Sequence, residues 1–201
     1  MKKFMQCLKL SVLLLIICGI IYPLIVTALG QSLFANKANG SFIKVDGKEV
    51  ASTFIGQDFT SDKFFKGRIS SVNYNTSKEG EEIDPSTVAS GSQNLALSND
   101  ELKERREVTI KEILKENTSL TRDQIPEDLI TSSGSGLDPH ISVKSAEVQV
   151  GRVSNSTGIS KETLYEYIDN ATENKQLGIL GQTRVNVVKL NIQIAKALNL
   201  I

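Results

Sequence analysis

The chain has one histidine, no tryptophan and two cysteines in 201 residues. A zinc site of His and Cys ligands, or a disulfide framework, is excluded on numbers alone. It also lacks net charge, with 23 Lys and Arg against 23 Asp and Glu, so no positive field exists to displace counterions from nucleic acid. Phosphate cradles of the GxxxxGK[ST] type do not occur. Neither does a GxSxG nucleophile elbow, nor the SDN and KTG companions that would give Ser41-Phe-Ile-Lys44 meaning as an SxxK site. At this length one ordinary domain plus an accessory segment is expected.

Charge is missing altogether between Lys9 and Lys37, and Leu10–Leu29 is nearly continuous in apolar residues. About 20 such residues suffice to cross a bilayer as a helix. The spacing predicts a transmembrane helix over 10–30, with Tyr22 and Pro23 packing against other membrane helices, because the backbone acceptor freed by a proline needs a neighbour. A cleavable signal peptide is the competing reading. Lys2 and Lys3 form a basic leader and Val26-Thr27-Ala28 a small-residue cleavage site, but the apolar run exceeds the usual 7–15 or so residues of such a peptide. Lys2, Lys3 and Lys9 precede the span with no acidic residue among them, which places residues 1–9 in the cytoplasm and 31–201 outside it. With those three set aside, 20 basic residues remain against all 23 acidic ones. A mildly acidic domain has no electrostatic reason to seek lipid.

Within 31–201 the expected class is a single mixed α/β or α+β domain. Asp46-Gly47 between Phe42–Val45 and Lys48–Ile55 predicts a hairpin, since this dipeptide supplies the positive φ pair of a type I′ turn. Ser70–Asn99 reads as a long excursion. Helices are expected from the Ser98-Asn99-Asp100 cap to about Asn117, from Ser142 to about Asn155 with Gly158 as stop, and after Ser160. The β-branched run Arg184–Leu190 reads as a strand, followed by an amphipathic stretch through Leu198.

The most distinctive run is Ser133-Gly-Ser-Gly-Leu-Asp-Pro-His-Ile-Ser142. Gly134 and Gly136 permit sharp turns whose free N–H groups would cradle an anion or carbonyl. Ser135, Asp138, Pro139 and His140 complete a site-like set. Turn and cap chemistry explains the same residue types without any ligand.

An ordered series of blocks carries a resemblance. It comprises Ile21-Tyr-Pro-Leu24, Ala38-Asn-Gly-Ser41, Phe54-Ile-Gly-Gln-Asp-Phe59, Phe64-Phe-Lys-Gly-Arg68, Gly91-Ser-Gln-Asn-Leu95, Ser133–Ser142, Leu177-Gly-Ile-Leu-Gly181 and Arg184-Val-Asn-Val187. Over nearly its whole length the chain resembles the C subunit of the Kdp-type potassium-transporting ATPase. It departs at Ile69, where that family has proline, and at Ala96–Asp100, where the family has Gly-Pro-Ser-Asn-Pro. The resemblance implies a non-catalytic accessory subunit in the bacterial cell membrane. Its partners would be a potassium-translocating subunit, a P-type ATP-hydrolysing subunit and a small single-span subunit. ATP and potassium are handled by the complex and not bound directly, and the subunit would raise the ATP affinity of the hydrolysing subunit as a catalytic chaperone. The matched residues Gly134, Ser135, Gly136, Asp138, Pro139, His140, Arg184 and Asn186 are then expected to face partners or determine the fold. The alternatives are a membrane-anchored envelope hydrolase using Ser135 and His140, and a pilin-like or adhesin-like surface protein.

Overall fold

A computed structural model describes residues 1–77, 83–118 and 120–201, which form two compact units, Met1–Phe42 and Ile43–Ile201. In the first, α1 (Lys2–Ile16) passes through a π-helical turn, Ile17–Ile21, into α2 (Tyr22–Ala38). The π turn lies directly ahead of Pro23. Proline has no N–H to offer the carbonyl four residues earlier and its ring crowds that carbonyl, and one widened turn relieves both defects. At about 1.5 Å per residue the 37-residue helix is about 55 Å long, well beyond an apolar bilayer core of about 30 Å. None of its side chains is buried within the protein, and Tyr22 stands exposed beside Pro23. Asn39 ends it by donating through Nδ2 to the Ala35 carbonyl at 2.8 Å.

Next in the chain is the expected hairpin, β1 (Phe42–Val45) and β2 (Lys48–Ser52), turning on Asp46 at φ 49° and Gly47 at φ 79°. An irregular excursion follows, with short 3-10 turns at Asn73–Asn75 and Pro85–Thr87; positions 78–82 of it lie outside the described residues. The Asn99 side chain accepts from the Glu101 and Leu102 amides and starts α3 (Asp100–Glu116). After α4 (Glu127–Ile130) come β3 (His140–Ile141), α5 (Val143–Glu147), α6 (Val150–Thr157), α7 (Lys161–Ala171), β4 (Thr172–Glu173), β5 (Arg184–Asn186) and α8 (Val187–Ala197). Ser142 and Ser160 cap α5 and α7, and Gly158, at φ 76°, ends α6 as expected.

β5 is the centre of an antiparallel sheet in the order β3-β5-β4, pairing His140 with Asn186 and Glu173 with Arg184. Because the paired strands are antiparallel, the mixed domain is of the α+β kind. Its core joins Ile141 and Val185 of the sheet to Val150, Val153, Leu164, Ile168, Leu190 and Ile194 of the helices.

Two expectations are corrected. The helix expected over Ser142–Asn155 is broken between α5 and α6 by a tightened turn, in which the Gln149 amide bonds three residues back to Ala146. The strand expected over Arg184–Leu190 stops at Asn186. Asn186 is fully buried, and its side-chain oxygen accepts from the Lys189 amide at 3.0 Å, so it caps α8. The helix penalty of a valine is at most about 0.7 kcal/mol, against roughly 1.5–3 kcal/mol for burying it, so packing of Val187 and Val188 prevails over β-propensity.

One segment without regular structure is nonetheless immobilised inside the core. Phe65 is fully buried, and the Asn191 side chain of α8 accepts from its N–H at 2.8 Å and donates to its carbonyl at 2.9 Å. Gln149 binds the Lys66 N–H and carbonyl in the same manner, at 2.8 and 3.1 Å. Arg152 donates to the carbonyls of Asp62 and Phe64. Three side chains thus stand in for a neighbouring strand.

Candidate functional site

The Ser133–Ser142 block runs from beyond α4 through β3 to the cap of α5, and it is sewn to the excursion. Ser133 N donates to the Ile69 carbonyl, Gly91 N to the Ser135 carbonyl and Ser70 Oγ to the Gly136 carbonyl, at 3.0, 2.8 and 2.6 Å. The expected anion cradle is partly spent. Gly136 N donates to Ser133 Oγ and Leu137 N to Ser135 Oγ, so serines of the block occupy two of its own amides. Gly136 has φ 68°, and a Cβ there would lie 2.6 Å from Val72 Cγ2 and 2.9 Å from the Gly91 carbonyl; at Gly134 a Cβ would meet nothing within 4 Å. The two glycines are therefore not equivalent.

Beyond the turn, Pro139 accepts the Val187 amide at 2.8 Å and Asp138 accepts the His140 amide at 3.0 Å, presenting the histidine at the sheet. Its Nδ1 lies 3.2 Å from Asp138 Oδ1 and its Nε2 3.2 Å from Glu173 Oε2. Glu173 also accepts from Lys189 Nζ at 2.8 Å and from the Arg184 guanidinium at 3.1 and 3.2 Å. Arg68 approaches Asp138 to 3.5 Å, and Asn186 donates to the Thr53 carbonyl at 2.8 Å. The fold therefore gathers four of the sequence-predicted residues, Asp138, His140, Arg184 and Asn186. It adds three not anticipated as partners: Arg68, Glu173 and Lys189. Only Arg68 had a signal, as the end of the Phe64–Arg68 block. Gly134, Ser135 and Gly136 shape the turn leading to this cluster, whereas Tyr22 and Pro23 belong to the other compact unit.

A shallow cleft of about 500 Å³, lined by Arg68, Asp138, His140, Ser142 and Arg184 among others, opens over the cluster. A second, of about 330 Å³, lies between α3 and the 57–69 segment and includes Tyr74, Lys66 and Glu116. Tyr74 is one of the residues that line it. It sits among three consecutive left-handed residues, Asn73, Tyr74 and Asn75, and donates from its hydroxyl to the Arg68 carbonyl at 2.6 Å. A Cβ on Gly56 would come within 2.5 Å of its ring, and one on Gly67 within 2.8 Å of its hydroxyl. The glycines of the Phe54–Phe59 and Phe64–Arg68 blocks thus serve one buried ring. Burial, then the Asp138 and Asp58 charges, push the phenol up to about 12.

Asp138 and Glu173 both titrate below their ordinary values. Burial opposes this in each case. For Asp138 it is outweighed by the His140 hydrogen bonds and the His140 and Arg68 charges, for Glu173 by the hydrogen bonds of Lys189 and Arg184 and the charges of Lys189 and His140. A carboxyl with a lower pKa folded than unfolded contributes stability above its unfolded value. That stability is lost as the pH falls from about 4 through the depressed folded value, because the unfolded chain takes up its proton first. Asp138→Asn is therefore expected to lower the urea midpoint at pH 7 and to flatten its fall in acid. Parallel curves for variant and parent would contradict this assignment.

Chemically the cluster is an ion-pair network at a sheet edge. A serine hydrolase needs one histidine nitrogen on a carboxylate and the other on a hydroxyl, and here carboxylates hold both. Asp128 accepts from the hydroxyls of Ser142 and Ser145 and from the Ser142 amide, fixing the start of α5 without a histidine. Among the described residues no group of three or more His, Cys, Asp or Glu is placed to hold a metal.

Fold and cluster define a protein with, among the described residues, one helix long and apolar enough to span a membrane, and with a separate α+β domain organised around buried polar clamps. Residues 4–196 match the family model described as K+-transporting ATPase, c chain (KdpC). The chain is 46% identical to the potassium-transporting ATPase KdpC subunit of Clostridioides difficile (strain 630), over the full length of both, and 47% identical to that of Clostridium kluyveri, over 94% of this chain and 91% of the relative. It is 46% identical to that of Bacillus cereus (strain AH820), over 94% and 93%. The chain belongs to the KdpC family, the C chain of the K+-transporting ATPase, and is thus a subunit of a membrane complex.

Proposed function

We propose that the chain is a non-catalytic accessory subunit of a high-affinity, ATP-driven potassium uptake complex. Residues 1–9 lie in the cytoplasm, 10–30 cross the membrane, and 31–201 form an extracytoplasmic domain that assembles or stabilises the complex. Its partners are the potassium-translocating subunit, the P-type ATP-hydrolysing subunit and the small single-span subunit. The observation that carries this reading is how the domain spends its polar chemistry: His140 is held by two carboxylates, while Asn191, Gln149 and Arg152 hold backbone. With the domain outside, any rise in ATP affinity of the hydrolysing subunit passes through the membrane subunits as a coupling free energy, not through direct contact with nucleotide.

The test is purification of the tagged chain in mild detergent from cells expressing the whole complex. Multi-span subunits are expected to co-purify, with potassium-stimulated ATPase activity in the assembly and none in the chain alone. ATP turnover by the pure chain, abolished by a substitution within it, would overturn the accessory role. Protease added outside spheroplasts should digest the domain; protection there would reverse the orientation.

A further inference from the structure

Between β4 and β5 the chain makes an excursion that ends in an ordered tip. Gln176 N donates to the Leu180 carbonyl and Leu180 N to the Gln176 carbonyl, both at 2.9 Å, and Gly178 N and Ile179 N close the turn onto Lys175 and Gln176. Leu177, Gly178 and Gly181 all have positive φ, of 54°, 75° and 81°. A leucine in the left-handed region is uncommon and needs its surroundings to hold it there. The side chains this turn displays are apolar: Leu177 is 88% exposed, Ile179 77% and Leu180 55%. Single exposed aliphatics are ordinary on protein surfaces, but three within four residues of one hydrogen-bonded turn form a patch.

The surroundings specify what such a patch meets. Residues 174–184 are all exposed, and a turn this small, with no described residue covering it, fits a concavity. Lys175, two residues before Leu177, has no ion-pair partner among the described residues, while Glu173 is neutralised by Arg184 and Lys189. The turn therefore presents an exposed apolar patch two residues from an unpaired positive charge. A bilayer surface matches this poorly. Loops that enter the interface rely on Trp, Tyr or Phe and on clustered Lys and Arg, whereas this tip is purely aliphatic and the chain beyond the apolar helix is mildly acidic. We infer that Leu177–Leu180 is an anchor that inserts into an apolar socket, rimmed by at least one carboxylate, on another protein subunit of the transport complex. This rests on the assembly role proposed above and names the element that carries it.

The experiment is co-expression of the full chain with the other subunits of the complex and purification in mild detergent. Leu177→Asp combined with Ile179→Asp is expected to reduce recovery of the other subunits at least 100-fold, since each buried aliphatic side chain is worth about 10- to 100-fold in affinity. Lys175→Glu should weaken assembly several-fold. Thermal unfolding of the double variant, followed by circular dichroism, should match the parent, because neither side chain supports the core. A photo-cross-linking residue at position 179 should capture a larger subunit. To separate lipid from protein, an environment-sensitive dye is placed on Ile179→Cys in a Cys7→Ser, Cys18→Ser background. A blue shift of the chain alone in nanodiscs of mixed zwitterionic and anionic lipid would overturn the proposal in favour of the bilayer. A shift only in the assembled complex supports it. Parent-like recovery of the double variant, with no shift in either setting, would overturn it too. Failure of the parent chain itself to co-purify would sink the assembly reading and not the anchor alone.

Discussion

Asn191→Ala is expected to remove much of the stability of the mixed domain. Asn191 is almost completely buried, and its amide makes both hydrogen bonds of the Phe65 peptide groups, whose side chain is the largest fully buried one in the core. Alanine leaves a donor and an acceptor unpaired where water does not reach. Each such group costs about 1–3 kcal/mol, so a loss of roughly 3–5 kcal/mol is expected from a total that is about 5–15 kcal/mol in ordinary domains. Asn191→Leu separates the causes, because it keeps most of the volume and still leaves both backbone groups unpaired. Near-equal destabilisation of the two variants in urea unfolding, followed by circular dichroism on the full chain in detergent, is the expected result. A loss below about 1 kcal/mol in either variant would show that the segment relaxes to other partners. Gln149→Leu should act in the same direction but not additively, since both side chains hold one segment.

That clamp also shows where sequence reading runs out. The apolar helix, the Asp46-Gly47 hairpin, the Asn99 and Ser160 caps and the Gly158 stop are each specified by neighbours in the chain, and all were legible. Asn191 and Phe65 lie 126 positions apart. A polar residue on an apolar helix face looks like a flaw in the pattern until the backbone it serves is known. β3 and β4 have two residues each, too few for any alternation to register. At Asn186 the same residue ends a strand and caps a helix, and the β-branched run around it conceals the change. The candidate site was legible in half. Asp138 and His140 announce themselves within one block, and Arg184 and Asn186 within another, but the carboxylate that joins the two blocks, Glu173, stands in a two-residue strand just past α7 that no sequence pattern marks. Register supplies the link, since Glu173 pairs with Arg184 and Asn186 with His140 across β5.

Gly136→Val and Gly134→Val should differ far more than their near-identical settings in the sequence suggest. At Gly136 the left-handed backbone strains a β-branched residue by about 1–3 kcal/mol. The added Cβ also meets the Gly91 carbonyl at 2.9 Å, and that backbone cannot withdraw without breaking the bond from Gly91 N to the Ser135 carbonyl. Steric conflict on top of strain brings the expected loss to roughly 3–5 kcal/mol, with the excursion released from the Ser133–Ser142 turn. At Gly134 there is open space and φ is not positive, so the same substitution should stay within about 1 kcal/mol. His140→Ala falls between them. It removes the ring from two carboxylates, each of which keeps a cation, Arg68 for Asp138 and both Arg184 and Lys189 for Glu173, and about 1.5–3 kcal/mol is expected for hydrogen bonds to charged groups. All three variants should be compared for urea stability, for co-purification with the other subunits and for potassium-stimulated ATPase activity. Under a fold-determining or partner-facing role, activity follows assembly in every variant. A His140→Ala complex that assembles at the parental yield and yet neither hydrolyses ATP nor transports would make this histidine a mechanistic residue and end that reading of the cluster.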